Sequence, residues 1–253
     1  MIDLPISGQR AQWRPSTGYD DIALADSRPG AAGAAEWASS CVSVEVSSLP
    51  IADLDRLVVG RRRELRGDRL VAEGKCGQCA TPVDVQLSLN AYTEHHHPRP
   101  TRAATPSDDG WFTLRTRPDV SFRVPIVSDI VAVADSDLPR RLLLSRCTQG
   151  PVSYGVARAI EAALGRLAPT LRADVAGTCP DCSAPVVLDL DARELCMAEL
   201  RFLAGSVYDD VNLIASAYHW SQDAILEMPS ARRRRYADMI AGHAHNELAV
   251  SVA

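Results

Sequence analysis

Lysine is almost missing from this chain of 253 residues: Lys75 stands alone against 26 arginines. With its abundant alanine, that bias fits a GC-rich bacterial or phage coding sequence and says little about mechanism. No run of eighteen apolar residues occurs, which argues against a membrane span, and Met1 to Arg14 has no secretory hydrophobic stretch. The expected residence is therefore the bacterial cytoplasm. There is no phosphate-cradling glycine loop, no Gly-x-Ser-x-Gly elbow and no His-Glu-x-x-His helix, so the commonest catalytic motifs are missing. Excess positive charge is missing too. A net charge of −5 argues against a protein whose whole surface grips nucleic acid, although a local arginine cluster can still do so. The 46% hydrophobic content is enough for a globular core in one large domain or two small ones.

Cysteine is where the sequence repeats itself. Lys75-Cys76-Gly77-Gln78-Cys79-Ala80-Thr81-Pro82-Val83 returns as Thr178-Cys179-Pro180-Asp181-Cys182-Ser183-Ala184-Pro185-Val186. Each Cys-x-x-Cys is followed three residues later by proline and then by a short alternating apolar run, and the copies lie 103 residues apart (179 − 76). Two intervening residues let both thiolates of a tight turn point at one tetrahedral Zn²⁺, about 2.3 Å from each sulfur. One turn supplies two ligands and a structural site takes four. The pair of turns therefore points to one structural zinc held by Cys76, Cys79, Cys179 and Cys182. Val83, Val85 and Leu87, and likewise Val186, Leu188 and Leu190, alternate as half-buried strands do, with Leu70 to Ala72 and Ala173 to Val175 as the strands entering each turn. Each copy is then a hairpin carrying a knuckle.

Other readings of the cysteines stand beside zinc. A disulfide framework needs an oxidising compartment and a denser composition than seven cysteines in this length. A thioredoxin-type pair sits where a strand gives way to a helix N-terminus, whereas here a strand follows each pair. Inert thiols are the third option. Cys41, Cys147 and Cys196 have no such partners and read as small buried hydrophobes.

The rest of the chain divides by its turn signals. Residues 1–47 read as an N-terminal arm broken by Pro5, Gly8, Pro15, Gly18, Pro29, Gly30 and Gly33, with a short helix from Ala34 to Cys41. Residues 48–90 hold a helix carrying Ile51, Leu54, Leu57, Val58 and Leu65, stopped by Gly67, and then the first knuckle hairpin. Residues 91–110 contain His95-His96-His97 and read as a loop or linker. Residues 111–190 hold two strands between Trp111 and Val124 with a turn at Arg117-Pro118-Asp119, short helices over Ile130 to Ala134 and Leu138 to Cys147, a helix from Val152 to Leu167, and the second hairpin. Residues 191–253 read as helical: the longest helix runs from Asp191 to Trp220, and a last one opens at Pro229-Ser230 with Tyr236, Met239 and Ile240 facing inward. The fold class is α+β, with two Cys-x-x-Cys hairpins forming a zinc-ribbon-like β core packed against a mainly helical C-terminal part.

Two arginine runs need a role. Arg61-Arg62-Arg63 reads first as a solvated turn with a packed stem and second as an anion contact. Arg232, Arg233, Arg234 and Arg235 occupy four successive helical positions and fan around the helix, so they cannot all face one partner. A solvated helix with one or two buried stems fits them, and so does a surface for an acidic partner. Three adjacent histidines in a loop rarely meet one ion well, and His219 beside Trp220 reads as a packed histidine. His243 and His245 carry no usable signal.

The combination resembles a known family. The features are Leu49-Pro50 with Leu54-Asp55-Arg56-Leu57; Gly67-Asp68-Arg69-Leu70 leading into the first knuckle; Phe122-Arg123-Val124-Pro125 with Ser128-Asp129; Arg141 to Cys147; the second knuckle; and Ile214 to Leu226 followed by Arg232 to Tyr236. Together they resemble the T-even-type baseplate hub assembly chaperones, small proteins encoded with contractile phage tails and related contractile injection systems. The likeness runs from about Leu49 to Ile240, and Tyr218-His219-Trp220-Ser221-Gln222-Asp223-Ala224-Ile225-Leu226 is its most specific piece. Family knuckles often read Cys-Pro-x-Cys-Gly; here Gly77 replaces the proline of the first, and Ala80 and Ser183 replace the trailing glycines.

The resemblance implies a non-enzymatic assembly factor or hub-associated component that works through contacts with baseplate and hub proteins of a contractile tail. The candidate partner surface is the corner formed by Tyr218, Trp220 and Ile225 with Arg232, Arg233, Arg234 and Arg235. Two other classes compete. One is a zinc-ribbon nucleic-acid binder using Arg61 to Arg63 and the loop His95 to Arg102, and the other is a zinc or thiol enzyme in which His95 to His97 or His219 approaches the metal or a cysteine.

Overall fold

The structure, a computed structural model, describes residues 1–251, with side chains as far as Gly242; His243 and His245 lie outside the described side chains. The chain opens with an antiparallel hairpin, β1 (Ile2–Leu4) and β2 (Gln9–Ala11), whose turn places Gly8 at φ +71°. Trp13 bridges Val42. Helix α1 (Gly18–Ala25) begins at Thr17, whose amide donates to Asp20 at 2.7 Å, so the acid closes the first turn back on itself. Then come α2 (Ala31–Cys41), a 3-10 turn at Val46–Ser48 and α3 (Ile51–Arg66). α3 buries Leu54, Leu57 and Val58 at helical spacing and ends at Gly67, φ +78°. β3 (Arg69–Lys75) and β4 (Pro82–Ser88) form the first knuckle hairpin, and α4 (Leu89–His95) follows, capped by Ser88.

The chain then builds the same unit again. β5 (Ala104–Pro106), β6 (Trp111–Leu114), β7 (Arg117–Arg123) and β8 (Thr148–Gln149) make an antiparallel sheet in that order. Helices α5 (Val127–Val133), α6 (Pro139–Cys147) and α7 (Tyr154–Leu167) lead to the second knuckle hairpin, β9 (Arg172–Thr178) and β10 (Pro185–Asp191), and to α8 (Ala192–Gly205), capped by Asp191. Val120 and Phe122 are buried where Ala11 and Trp13 are buried, and Phe122 pairs with Thr148 where Trp13 bridges Val42. Arg14 grips Asp20 with two prongs of 2.8 and 2.6 Å; Arg123 grips Asp129 with prongs of 2.6 and 2.9 Å. Cys41 and Cys147 end equivalent helices and are both buried. The offset between partners falls from 109 (123 − 14) through 106 (147 − 41) to 103 (179 − 76), as two connections in the second copy shorten by three residues each. Thus most of the chain as far as the first half of α8 is a duplicated unit, of which the cysteine turns are the most alike part; β5 and the second half of α8 have no counterpart in the first copy.

Three helices follow the second copy: α9 (Val207–Tyr218), α10 (Gln222–Leu226) and α11 (Ser230–Ser251). The single helix expected from Asp191 to Trp220 is two, broken at Ser206 after Gly205, and the longest helix is α11. Met239 is 46% exposed, so it does not face inward.

The expected N-terminal arm is also corrected. Residues 1–47 give Leu4, Ala11, Trp13, Leu24, Ala34 and Trp37 to the largest core, alongside Leu54, Leu57 and Val58 of α3 and Met197 and Leu200 of α8. The glycines that suggested an arm are turn and contact positions: Gly8 and Gly30 hold positive φ, and a Cβ on Gly18 would come 2.6 Å from Leu226 Cδ2. Residues 91–110 contain the end of α4 and β5, and the turn between β6 and β7 lies at Arg115-Thr116, ahead of the expected Arg117-Pro118-Asp119. The fold is α+β, but the two knuckle hairpins are separate two-stranded sheets with no shared ladder, and the main core lies among helices. A smaller core joins α7 to the four-stranded sheet through Leu114, Val120, Phe122 and Ile160. Among the described residues no helix is long and apolar enough to cross a membrane.

Candidate metal centre

Each knuckle is built by the same backbone. In the first, the Cys76 amide donates to Thr81 O at 2.9 Å and the Ala80 amide to Cys76 O at 2.9 Å; in the second, the Cys179 amide donates to Ala184 O at 2.9 Å and the Ser183 amide to Cys179 O at 3.0 Å. This closes a turn only if the residue after the second cysteine is left-handed, and Ala80 and Ser183 sit at φ +60° and +59°. Both thiols of a turn are thereby aimed to one side. The hairpins approach face to face over an apolar cushion of Val83, Val186, Ala184 and Leu188. Gly74 makes room: a Cβ there would come 2.4 Å from Leu188 Cδ2.

The four sulfurs of Cys76, Cys79, Cys179 and Cys182 consequently all lie within 4.8 Å of one another. Cys76 is 3.7 Å from Cys182 and Cys79 is 3.6 Å from Cys179. A tetrahedron with metal–sulfur bonds of 2.3 Å has edges of about 3.8 Å, so the crosswise pairs are spaced as two ligands of one ion. Cys76 and Cys179 are buried and Cys79 and Cys182 face outward. A further tie links the turns: Thr81 Oγ1 donates to Asp181 at 2.8 Å and lies 3.2 Å from Cys79 Sγ.

Electrostatics reinforce the reading. The amides of Cys79 and Gln78 lower the Cys76 thiol, and the Thr81 hydroxyl and amide bring Cys79 down to about 6. The Ala184 amide works to lower Cys182 as well, yet the crowding of Cys79, Cys76 and Cys179 pushes it up to about 12. Four sulfurs this close cannot all ionise unless a cation shares their charge. Among the described residues no histidine or carboxylate belongs to the cluster. His96, which the triplet made a candidate, instead bonds Tyr92 O through Nδ1 at 2.8 Å and stacks on the Tyr92 ring.

The other nominated residues fall into two groups. Tyr218 and Trp220 stack at 5.1 Å, and Tyr236 meets both edge-on at 5.9 and 5.4 Å with Arg232 over its outer face. Tyr218 and Trp220 of this corner are exposed, as are Arg232 and Arg235, while Tyr236 is half-buried. Ile225 and Arg233 are fully buried and are corrected: neither is offered to a partner. Arg233 bonds Asp21 at 2.5 Å and Asp210 at 3.0 Å, holding α11 to α1 and α9, while Arg234 reaches Asp21 at 3.6 Å. Arg61, Arg62 and Arg63 lie within α3, not in a turn. Arg61 lies over Trp13, Arg62 pairs with Glu199, and Arg63 pairs with Asp68, so each has an internal partner.

The sequence marks Asp129 only beside Ser128 in the resemblance and leaves Asp20 unmarked, and the clamping of both acids by arginine was not expected. Their signal was present as an aromatic residue followed by arginine and, six residues on, aspartate: Trp13-Arg14 with Asp20, Phe122-Arg123 with Asp129. No family model, characterised protein or solved structure matches this chain.

Proposed function

We propose that this chain is a non-enzymatic assembly factor or hub-associated component of a contractile tail or injection-system baseplate, its two repeats stapled by one structural Zn²⁺. The carrying observation is the closed set of four cysteine sulfurs contributed equally by two repeats. Four protein thiolates leave no coordination position for water or substrate, which is the pattern of a structural site. Cys76, Cys79, Cys179 and Cys182 would hold the ion, which neutralises their charge and cross-links the hairpins. Thiolate-only tetrahedral sites take zinc or iron. Metal analysis of the purified chain therefore tests the assignment: one zinc per chain is expected, none in Cys79→Ser/Cys182→Ser, and iron in its place would reject zinc.

The assembly half rests on the resemblance of Leu49 to Ile240 and on the exposed aromatic corner. Tyr218 and Trp220 are 41% and 38% exposed, and aromatic residues flanked by arginine are the side chains that protein interfaces favour. The revised surface is Tyr218, Trp220, Tyr236, Arg232 and Arg235. Co-expression with the hub and baseplate proteins of a contractile tail should give a complex that Tyr218→Ala/Trp220→Ala weakens at unchanged melting temperature. An undiminished complex would reject this corner, and mass spectrometry of purified tails would separate a departing factor from a permanent part.

A further inference from the structure

One kind of joint occurs twice in this molecule. In it, an extended triplet leading into a long helix is laid against another extended triplet that leads into a short helix. At the start of α3, Leu49-Pro50-Ile51 meets Pro125-Ile126-Val127 at the start of α5. The Ile51 amide donates to Pro125 O at 3.2 Å, the Val127 amide donates to Leu49 O at 2.8 Å, and Pro50 bridges Ile126. At the start of α11, Met228-Pro229-Ser230 meets Ser16-Thr17-Gly18 at the start of α1. The Ser230 amide donates to Ser16 O at 2.7 Å and Pro229 bridges Thr17. The receiving helices are the two whose first-turn aspartate is clamped by arginine, Asp20 by Arg14 and Asp129 by Arg123. Among the described residues there are thus two receivers, and both are filled from within.

The described residues hold three inserting edges. Val152-Ser153-Tyr154 stands at the start of α7, 103 residues after Leu49 (152 − 49). Among the described residues no hydrogen bond reaches the Val152 carbonyl or the Tyr154 amide, the two groups that Leu49 and Ile51 use in their joint. Leu49 is fully buried, whereas Val152 is 38% and Tyr154 73% exposed. The neighbouring helix repeats the contrast. α2 and α5 share a cavity of about 500 Å³, with Ala32, Ala35 and Ser39 opposite Val127 and Val131; the equivalent positions, Leu138 just before α6 and Arg141 and Ser145 on it, line with Val152 and Tyr154 a groove of about 870 Å³ whose walls come from residues 137–157 alone. The edge is fixed in place, since Gly150 at φ +94° packs so tightly that a Cβ would come 2.2 Å from Asp119 O.

We infer that Val152-Ser153-Tyr154 and the outer face of α6 form a docking edge for another protein. The occupant is a receiver of the build seen twice here: an extended triplet running into a short helix with an apolar face. Main-chain pairing gives such an edge its affinity and the groove side chains give it selectivity. A second copy of this chain does not fit, because both receivers of each copy are already occupied. The inference stands on the internal repeat and needs neither the metal nor the aromatic corner.

The receiver that fills the equivalent edge supplies the probe. A fluorescein-labelled peptide of residues 123–134 is titrated against the full chain by fluorescence anisotropy. Saturable binding is expected at roughly 10–100 µM. Tyr154→Pro removes the donated N–H at a first helical position that tolerates proline, and it should weaken binding at least about tenfold at unchanged melting temperature. Leu138→Glu, on a side chain 58% exposed, should do the same and carries the test should the proline variant melt early. Absence of saturable binding at about 1 mM, or equal binding by both variants, overturns the inference. So does a concentration-dependent dimer of the chain alone that Tyr154→Pro abolishes, since the occupant would then be a second copy.

Discussion

The two repeats share a build and differ in where it ends up. The front half of the first is folded into the main core, with Trp13 against Trp37 at 4.8 Å and Leu49 sealed beneath α5. The front half of the second keeps a small core of its own, with Phe112 stacked on Phe122 at 5.6 Å, and leaves Val152 and Tyr154 outside. The knuckles remain alike over a whole turn in residue and geometry, whereas the front halves keep only single points of identity, the Arg14–Asp20 and Arg123–Asp129 clamps and the buried Cys41 and Cys147. The difference teaches what holds a duplicated unit to its original form. Two knuckles that must meet at one point are constrained by each other, whereas front halves with separate neighbours need only keep physical roles.

The hardest test of that symmetry is at the sulfurs. Structural zinc contributes roughly 10–16 kcal/mol of binding-coupled folding energy in small zinc domains, so losing a ligand should remove most of the chain's stability. Because both repeats contribute two sulfurs to one cluster, Cys79→Ser and Cys182→Ser should lose metal together and melt alike, as should the wild type with chelator. A variant that keeps one metal per chain and melts tens of degrees above its counterpart would mean that the ion belongs to one knuckle.

The two filled joints offer the next contrast. Leu49 and Val127 make the first an apolar joint, while Arg233 makes the second an ionic one, with Asp21 and Asp210 on either side. Removing one partner of a buried ion pair costs about 3–5 kcal/mol, so Arg233→Met should destabilise the chain by that amount in urea unfolding. Arg232→Ser and Arg235→Ser, both exposed, should stay within about 0.5 kcal/mol. Equal effects at all three positions would contradict the buried placement of Arg233.

The clamped acids sharpen the comparison by pH. Burial alone would raise Asp129, but Arg123, the Ile126 amide and Arg146 outweigh it and hold the carboxyl at about 2. Burial also opposes Asp20, which Arg14 and Thr17 lower in the same way with a single arginine. A depressed carboxyl gives stability that is present above its ordinary value of 3.8 and is lost as pH falls through the folded value of about 2. At Asp129 that is about 2 kcal/mol. Asp129→Asn should therefore flatten the acid limb of a stability–pH curve between pH 4 and 2 more than Asp20→Asn does; the reverse order would place the tighter clamp in the first repeat.

Legibility followed the same line. The knuckles could be read because spacing, proline and valine all recur at one offset. The front halves are harder to read, because Ala11 answers to Val120, Trp13 to Phe122 and Thr17 to Ile126, which share burial or position and not identity, at an offset that drifts from 109 to 103, and the one signature they share, arginine with aspartate six residues on, is too short to stand out. Turn chemistry at Gly8, Gly18 and Gly30 looked like an unstructured arm because each glycine serves a contact or a φ that sequence alone does not display. The joints were least visible of all. Pro50 and Pro229 read as helix starts, which they are, but nothing local announces which distant residue lies across from them.

The smallest expected effect concerns the residue after each second cysteine. A left-handed conformation costs a side-chain-bearing residue roughly 1–2 kcal/mol relative to glycine, and Ala80 and Ser183 both carry it at φ +60° and +59°. Glycine removes that strain but adds freedom to the unfolded chain worth about 0.5–1 kcal/mol. The net gain for Ala80→Gly and for Ser183→Gly should be a few tenths to about 1 kcal/mol each. Neither side chain makes a hydrogen bond among the described residues, so the gains are expected to add in the double variant. Thermal melts with metal bound can resolve this. A loss of stability at one site and a gain at the other would show that the turns are under unequal strain, and the match between the two knuckles would then stop at the sulfurs.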